Sequence, residues 1–378
     1  MRETGVYQQS GTAQYFIPHA LPPANPPLQF SPEIIKILNQ ATLALSELNE
    51  VSKRIPSQRR FIKSYVIKEA LLSSAIEGVH TTLIDVFTHP VENTKPNKKT
   101  QLVLNYTLAL EEAVRLMQTE GLPLASRVIV AAHEVLMTLG DGDKSAPGMF
   151  RKQSVSVGNL VPPPAPAIPQ LISQLEKYIN EPSELAALIR IGLVHLQFET
   201  IHPFLDGNGR IGRLLIVLML MQEKLLSVPV LYPSYYFKKH HLSYYMHLDR
   251  VRTHGDFEGW ITFFLQAMYE STTDALLRAQ EIDALDQRLR DMITSTEHFA
   301  RGQATALDAL ACLFEQPVVG VAGLQQALTC SYNTASRVIQ KLITIGLLTE
   351  NPGRGKRNRL YQFTPYLELL EKELQVIV

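Results

Sequence analysis

Between His202 and Arg213 the chain sets an imidazole, a carboxylate, three glycines and two arginines within twelve residues, His-Pro-Phe-Leu-Asp-Gly-Asn-Gly-Arg-Ile-Gly-Arg. It then runs directly into the apolar segment Leu214 to Met221. Stability alone does not ask for this combination, because a glycine in a regular element costs about 0.5–1 kcal/mol of backbone freedom. Two guanidinium forks beside exposed main-chain N–H groups suit an anion. A helix beginning near Asn208 would aim its positive N-terminus at the same place. The chemistry expected here is a phosphate site with a proton acceptor beside it.

Gly207, Gly209 and Gly212 also spell G-x-G-x-x-G. A dinucleotide fingerprint needs a strand before it and an acid about 20 residues after it. The preceding segment has apolar residues at 185, 188, 189, 192/193 and 196, which is a helical period, and Val228-Pro229-Val230-Leu231 downstream holds no acid. The order is helix, loop, helix, and the Rossmann reading is set aside.

The dodecamer resembles the signature of the Fic (Fic/Doc) family, H-P-F-x-[D/E]-G-N-G-R-x-x-R, at every specified position. The resemblance implies a mostly helical fold and transfer of AMP from ATP to a protein hydroxyl. It implies that His202 is the general base, a role for which imidazole has a suitable pKa. It implies that Asp206 holds Mg²⁺ between the α- and β-phosphates, a hard cation on oxygen ligands. Asn208 and the backbone of Gly207, Gly209, Ile211 and Gly212 would line the phosphates, with Arg210 and Arg213 on the β- and γ-phosphates.

Two further segments extend the likeness. Ser73-Ser74-Ala75-Ile76-Glu77-Gly78 is similar to the family's inhibitory pattern [S/T]-x-x-x-E-[G/N]. Ser64 to Leu72 reads as helix, and Gly78 suits its stop. By resemblance Glu77 would pair with Arg213 and take the place of the γ-phosphate, since both anions use the same donors. Gly148 to Pro164 resembles the flap, a β-hairpin over the active site. Val155 and Val157 alternate around Ser156, Gly158-Asn159 is a turn signal, and Pro162, Pro163 and Pro164 stop the strand. An exposed edge there could register a target peptide by strand addition. Tyr244 and Tyr245, followed by Gly255-Asp256 and Trp260, look like the segment whose tyrosines neighbour adenine and ribose. Thr253 stands where some relatives have Asn, and Trp260, the sole tryptophan, reads as core.

These residues need a scaffold, and composition bounds it. The chain has 378 residues, 46% apolar, with Lys+Arg and Asp+Glu equal at 36 each, so no overall field draws it to nucleic acid or anionic lipid. Cys312 and Cys330 lack metal-ligand spacing, which fits a reduced, cytoplasmic setting. No signal-peptide core or ~20-residue apolar span is present, so no membrane partner is expected. Leu214 to Met221, apolar all round, reads as a central buried helix. The expected architecture is a mostly α, Fic-type bundle with a β-hairpin flap, followed by a small winged-helix (α+β) domain. Residues 1–32, rich in proline from 15 onward, read as an extended arm rather than a packed element. Residues 33–110 form an N-terminal helical region carrying the inhibitory motif, and 111–270 the Fic core. Residues 271–303 are read as a charged linker helix.

Residues 304–378 form the last domain. Thr305 to Glu315, Gly320 to Leu328 and residues 331–345 read as its three helices, the third in the recognition position. Residues 351–359 form a wing tip carrying Arg354, Lys356, Arg357 and Arg359, a candidate phosphate-contacting patch. Arg337 and Lys341 are the third helix's cations. The partners implied are ATP, a protein with an exposed Ser, Thr or Tyr hydroxyl, a second copy of the chain, and DNA through the last domain. Three alternatives stay open: a Doc-like kinase, which Gly209 opposes because those relatives carry Lys there; a DNA-binding regulator that senses nucleotide; and removal of AMP with Glu77 orienting water.

Overall fold

The computed structural model describes residues 2–54, 58–92, 96–138, 146–351 and 359–372. The chain opens with an antiparallel hairpin, β1 Gly5–Ser10 and β2 Ala13–Pro18, paired from Gly5↔Pro18 to Ser10↔Ala13. The turn between them uses Gly11 at φ +60°. This corrects the extended-arm expectation for 1–32. Phe16 is buried, and the Arg2 guanidinium donates to both Glu258 carboxylate oxygens at 2.8 Å. The proline count pointed to the stretch after the hairpin and concealed the hairpin ahead of it.

Helices α1 Pro32–Arg54, α2 Gln58–Ile76, α3 Leu83–Glu92, α4 Lys98–Gln118 and α5 Ser126–Met137 follow. Glu77 lies just beyond α2, whose end is fixed twice. Gly78 takes φ +75°, and Lys238 Nζ donates to Ala75 O at 3.1 Å. After a loop come α6 Ile168–Asn180, α7 Ala187–Ile201 and α8 Asn208–Gln222. Both α7 and α8 are buried on nearly every face, with Arg190, His195, Arg210 and Arg213 among their buried residues. They pack on each other at the centre of the bundle, so the loop between them hangs on the most constrained elements available.

α9 Ser234–Lys239 and α10 His241–His254 lead to α11 Phe257–Ser295, a single helix of 39 residues running along α1. The linker helix expected from 271 is therefore the second half of a core helix. Its charges are partly interior: Asp274 pairs with Lys68 at 3.1 Å and Arg278 at 3.3 Å, all buried. That explains why a charged sequence sits inside: each buried charge has a partner.

The C-terminal part comprises α12 Gln303–Glu315, β3 Val318–Gly320, α13 Val321–Ala327, α14 Tyr332–Thr344, β4 Leu348–Glu350, β5 Leu360–Phe363 and α15 Thr364–Glu371. Its antiparallel sheet has the order β3-β5-β4, and Ser331 caps α14 by accepting from Thr334 N–H. Its described cations are partly used within the fold. Lys341 is spent on His298 O (2.7 Å) and Arg301 O (3.0 Å), leaving Arg337 as the exposed cation of α14. Arg359 faces Glu350 at 3.3 Å, and Arg354, Lys356 and Arg357 lie outside the described residues. Among the described residues no helix is long and apolar enough to cross a membrane.

Candidate active site

α7 ends at His202, which adopts φ +49°, ψ +62°, the left-handed region that a side chain enters only under constraint. This reverses the chain and lifts the imidazole out of the helix. Its Nδ1 lies 3.4 Å from Glu199 O, an arrangement in which Nδ1–H donates and Nε2 remains an acceptor. Burial, opposed by that bond, pushes the imidazole down to about 4, so it is neutral at ordinary pH.

The loop onward is held from within. Asn208 Oδ1 accepts from Phe204 N–H at 2.8 Å and its Nδ2 donates to Phe204 O at 2.9 Å. The Asn208 side chain thus closes the loop, with one Nδ2 donor spent on Phe204 O. Gly207 takes φ +78°, where a Cβ would lie 2.9 Å from Met137 Sδ. Ile211 is core, and a Cβ on Gly212 would strike the Glu199 carboxylate, so both positions are tightly packed. What suits an anion is the start of α8, whose first N–H groups lack intrahelical partners.

Arg210 lies beside that terminus, 3% exposed, and its Nε and Nη1 have no hydrogen-bond partner. Arg210 Nη2 faces the Asp206 carboxylate at 3.5 Å. Unsatisfied buried guanidinium donors are costly unless a ligand takes them. Asp206 itself is exposed, with Oδ1 accepting from Gly207 N–H at 2.6 Å. Among the described residues no group of three or more His, Cys, Asp or Glu could hold a metal.

Arg213, 1% exposed, is engaged through Nε and Nη2. Nε donates to Ser73 Oγ (2.9 Å), and Nη2 to Ser73 O (2.9 Å) and Glu77 Oε1 (2.7 Å). Burial would raise the Glu77 carboxyl, but Arg213's charge and hydrogen bond outweigh it and hold the group below its usual range. A Cβ on Gly209 would collide with Glu77 Oε1. The glycine is therefore what lets the carboxylate settle over the α8 terminus.

The tyrosine pair divides. Tyr244, 1% exposed, hydrogen-bonds His195 Nε2 at 2.8 Å, while His195 Nδ1 meets Gly212 O at 2.9 Å. Tyr244 is core support under the motif helix and not a nucleotide contact. Tyr245 is 42% exposed, and burial, then the nearby Glu77, push its hydroxyl up to about 12. Trp260 is core, donating to Gly192 O.

The flap is less regular than the expected hairpin. Val157 and Leu160 form one antiparallel bridge around Gly158 at φ +54°, with no ladder, and Val155 and Ser156 lie outside any strand. Val161 O instead accepts from Phe16 N–H of β2 at 2.9 Å. The prolines that stop the strand also remove the donors a ladder would need.

Models of two domains match this sequence: Fic/DOC family N-terminal over residues 35–115, and Fic/DOC family over 123–220. The chain thus contains the N-terminal and Fic domains of the Fic/DOC family over these residues. It is 28% identical over 283 residues to the protein adenylyltransferase Fic of Drosophila willistoni, covering 72% of this chain and 52% of that protein. The namesake of Drosophila persimilis is 28% identical over 270 residues, 66% of this chain and 49% of the other. This Fic chain thus spans about half the length of those relatives. A Fic family protein from Desulfovibrio desulfuricans G20 superposes at TM-score 0.58 with 22% identity, over 90% of this chain and 98% of that one. Fic-1 (aa134–508) from C. elegans gives TM-score 0.51 with 20% identity, over 66% and 73%. Both likenesses speak to the fold.

Three residues near the Fic motif were not singled out from the sequence. Glu199 is pushed up to about 7 by burial, and its Oε1 has no partner. His133 stacks on Phe204 at 3.7 Å, meets Asp206 O through Nε2, and accepts from Gly148 N–H through Nδ1. Arg151 is buried among main-chain carbonyls. Each lies in a segment that mixes polar and apolar residues, and a satisfied core residue gives the same pattern.

Proposed function

We propose that this chain is a protein adenylyltransferase, moving AMP from ATP to a hydroxyl of a protein target and of itself, and restrained by Glu77. One observation carries the reading. Two unsatisfied Arg210 donors sit at the N-terminus of α8, beside a neutral His202 with a free acceptor nitrogen and an Arg213 plugged by a carboxylate. A triphosphate would complete Arg210 and the helix terminus. Its negative charge would also raise the His202 imidazole from about 4 toward the working range. The acceptor hydroxyl then gives its proton to His202 Nε2, its oxygen bonds to the α-phosphorus, and pyrophosphate leaves.

Asp206 fits a Mg²⁺ that arrives with the nucleotide: one exposed carboxylate suits an ion that keeps waters and phosphate oxygens as its other ligands. Such an ion would neutralise phosphate charge. The names of the Drosophila relatives support the same reaction class. Against a kinase reading, a lysine at position 209 would meet the Glu77 carboxylate and could not coexist with the pairing seen here. For the last domain, the helix–strand–helix–helix–strand–strand order supports a winged-helix-like module. The use of Lys341 within the fold favours protein contact over DNA.

The test is to incubate wild type and Glu77→Gly with α-labelled and, separately, γ-labelled ATP, Mg²⁺ and cell lysate, and to weigh the modified peptides. Added AMP, strongest for Glu77→Gly, supports the proposal. Added phosphate alone, or no covalent addition by either protein, rejects it.

A further inference from the structure

Arg151 stands at the start of the flap and is 2% exposed. No carboxylate pairs with it among the described residues, and burial holds its guanidinium below the ordinary range. Its four side-chain hydrogen bonds all run to main-chain carbonyls. Nε donates to His202 O at 2.7 Å, Nη1 to Gln153 O at 3.0 Å, and Nη2 to Pro163 O at 2.6 Å and Ile201 O at 3.4 Å. Its own main-chain N–H donates to Pro203 O at 2.9 Å.

These partners fall into two groups. Gln153 and Pro163 are the two legs of the flap; Ile201, His202 and Pro203 are the turn that presents the imidazole. The flap has one internal bridge, too little to shape itself, and His202 sits in a backbone conformation that needs outside support. A planar guanidinium with five fixed N–H directions can hold both at a set separation, and a lysine cannot. Burying a cation against neutral carbonyls is a poor way to gain stability.

We infer that Arg151 is a positioning residue for the transfer reaction, fixing the flap that seats the acceptor against the peptide that carries the catalytic base. This rests on the adenylyltransferase reading above, and its consequence is specific. Nucleotide binding, which uses Arg210, Arg213 and the α8 terminus, does not pass through Arg151; alignment of the acceptor hydroxyl with His202 does. The guanidinium also contributes to holding the imidazole down, together with burial, against the raising effect of Glu77 and Asp206.

The experiment uses the full chain with Glu77→Gly, alone and combined with Arg151→Lys or Arg151→Met. ATP affinity is read by calorimetry, AMP incorporation into the chain by its kcat and KM for ATP between pH 5 and 9, and flap order by amide hydrogen exchange. Arg151→Met should leave ATP affinity within about twofold and lower kcat about 10²-fold, the loss typical of a misplacement near 1 Å. Its acid limb should move to higher pH as the imidazole loses a neighbouring cation. Arg151→Lys, which keeps the charge, should lose kcat without moving that limb. In both variants the amides of Val157 and Leu160 should exchange faster while α8 stays protected. Unchanged kcat, or ATP affinity falling in step with kcat, overturns the inference. If Arg151→Met does not fold, Arg151→Lys decides by the same split. If Glu77→Gly alone incorporates no AMP, the functional reading has failed; unchanged flap exchange in Arg151→Lys would then refute the tether separately.

Discussion

His202 illustrates how the chemistry of one residue is set by where a helix ends. The left-handed turn at the C-terminus of α7 aims the ring, and Glu199 O takes Nδ1–H, so Nε2 is the available base. Removing a positioned base lowers rates about 10²–10⁴-fold. His202→Ala should therefore lose AMP incorporation by that order in the Glu77→Gly background, with ATP affinity by calorimetry kept. The pH dependence follows from the depressed imidazole. A base must be neutral to act, and without nucleotide this one is protonated only near and below pH 4, a limit that bound triphosphate raises. Self-modification should be nearly level from pH 6.5 to 8 and fall on acidification; a plateau reached only above pH 8 would contradict the assignment. Asp206→Ala should abolish the Mg²⁺ dependence of transfer, measured as rate against free metal. A variant still stimulated by Mg²⁺ as strongly as wild type would place the metal elsewhere.

At the scale of elements, the proposed brake would consist of a helix end and a glycine. α2 carries Ser73 and leads into Glu77, and Arg213 from α8 reaches both. Glu77→Gly should raise self-modification at least tenfold, and Glu77→Asp, shorter by one methylene, should release it only in part. The two are compared by initial rates with labelled ATP. Because the folded Glu77 carboxyl is held below its usual value, its pairing is fully present above the unfolded pKa near 4.5. It is lost as pH falls through the lower folded value. The Glu77–Arg213 pair is thus intact throughout neutral pH, and a brake built on it would not respond to physiological pH changes. Lys238 adds a less direct hold, bonding Ala75 O at the end of α2. Lys238→Met should give a partial release in the same assay, since a helix end without its partner frays more readily.

For the whole molecule, the last domain is not a free appendage. α12 packs on α2, β3 on α3, and Gln316 Nε2 donates to Phe87 O. None of these contacts involves α7, α8 or the flap. Deleting residues 300–378 should therefore leave His202 chemistry in place but uncover apolar surface on the helices that carry the brake. The expected outcome is a lower melting temperature with self-modification equal to or above wild type, followed by calorimetric scanning and initial rates. Loss of activity in a truncation that still melts cooperatively would show that this domain completes the site.

The sequence by itself determined the family motif and the central helices. Twelve adjacent residues carry the site in local order, and helical periodicity is a local property that survives without tertiary information. The same holds for the three C-terminal helices, whose caps and glycines mark their ends. The tertiary structure decided which polar residues face the site and which face the core. Tyr244 and Tyr245 are chain neighbours, yet one is buried on His195 and the other half-exposed, because a helix turns about 100° per residue. Asn208 and Gly212 belong to the motif but serve the loop and the packing. The N-terminal hairpin and Arg151 were illegible for a common reason: their partners, Val161 and Glu258 for the one and His202 for the other, lie far along the chain. Contact between distant segments leaves no period or spacing in a single sequence.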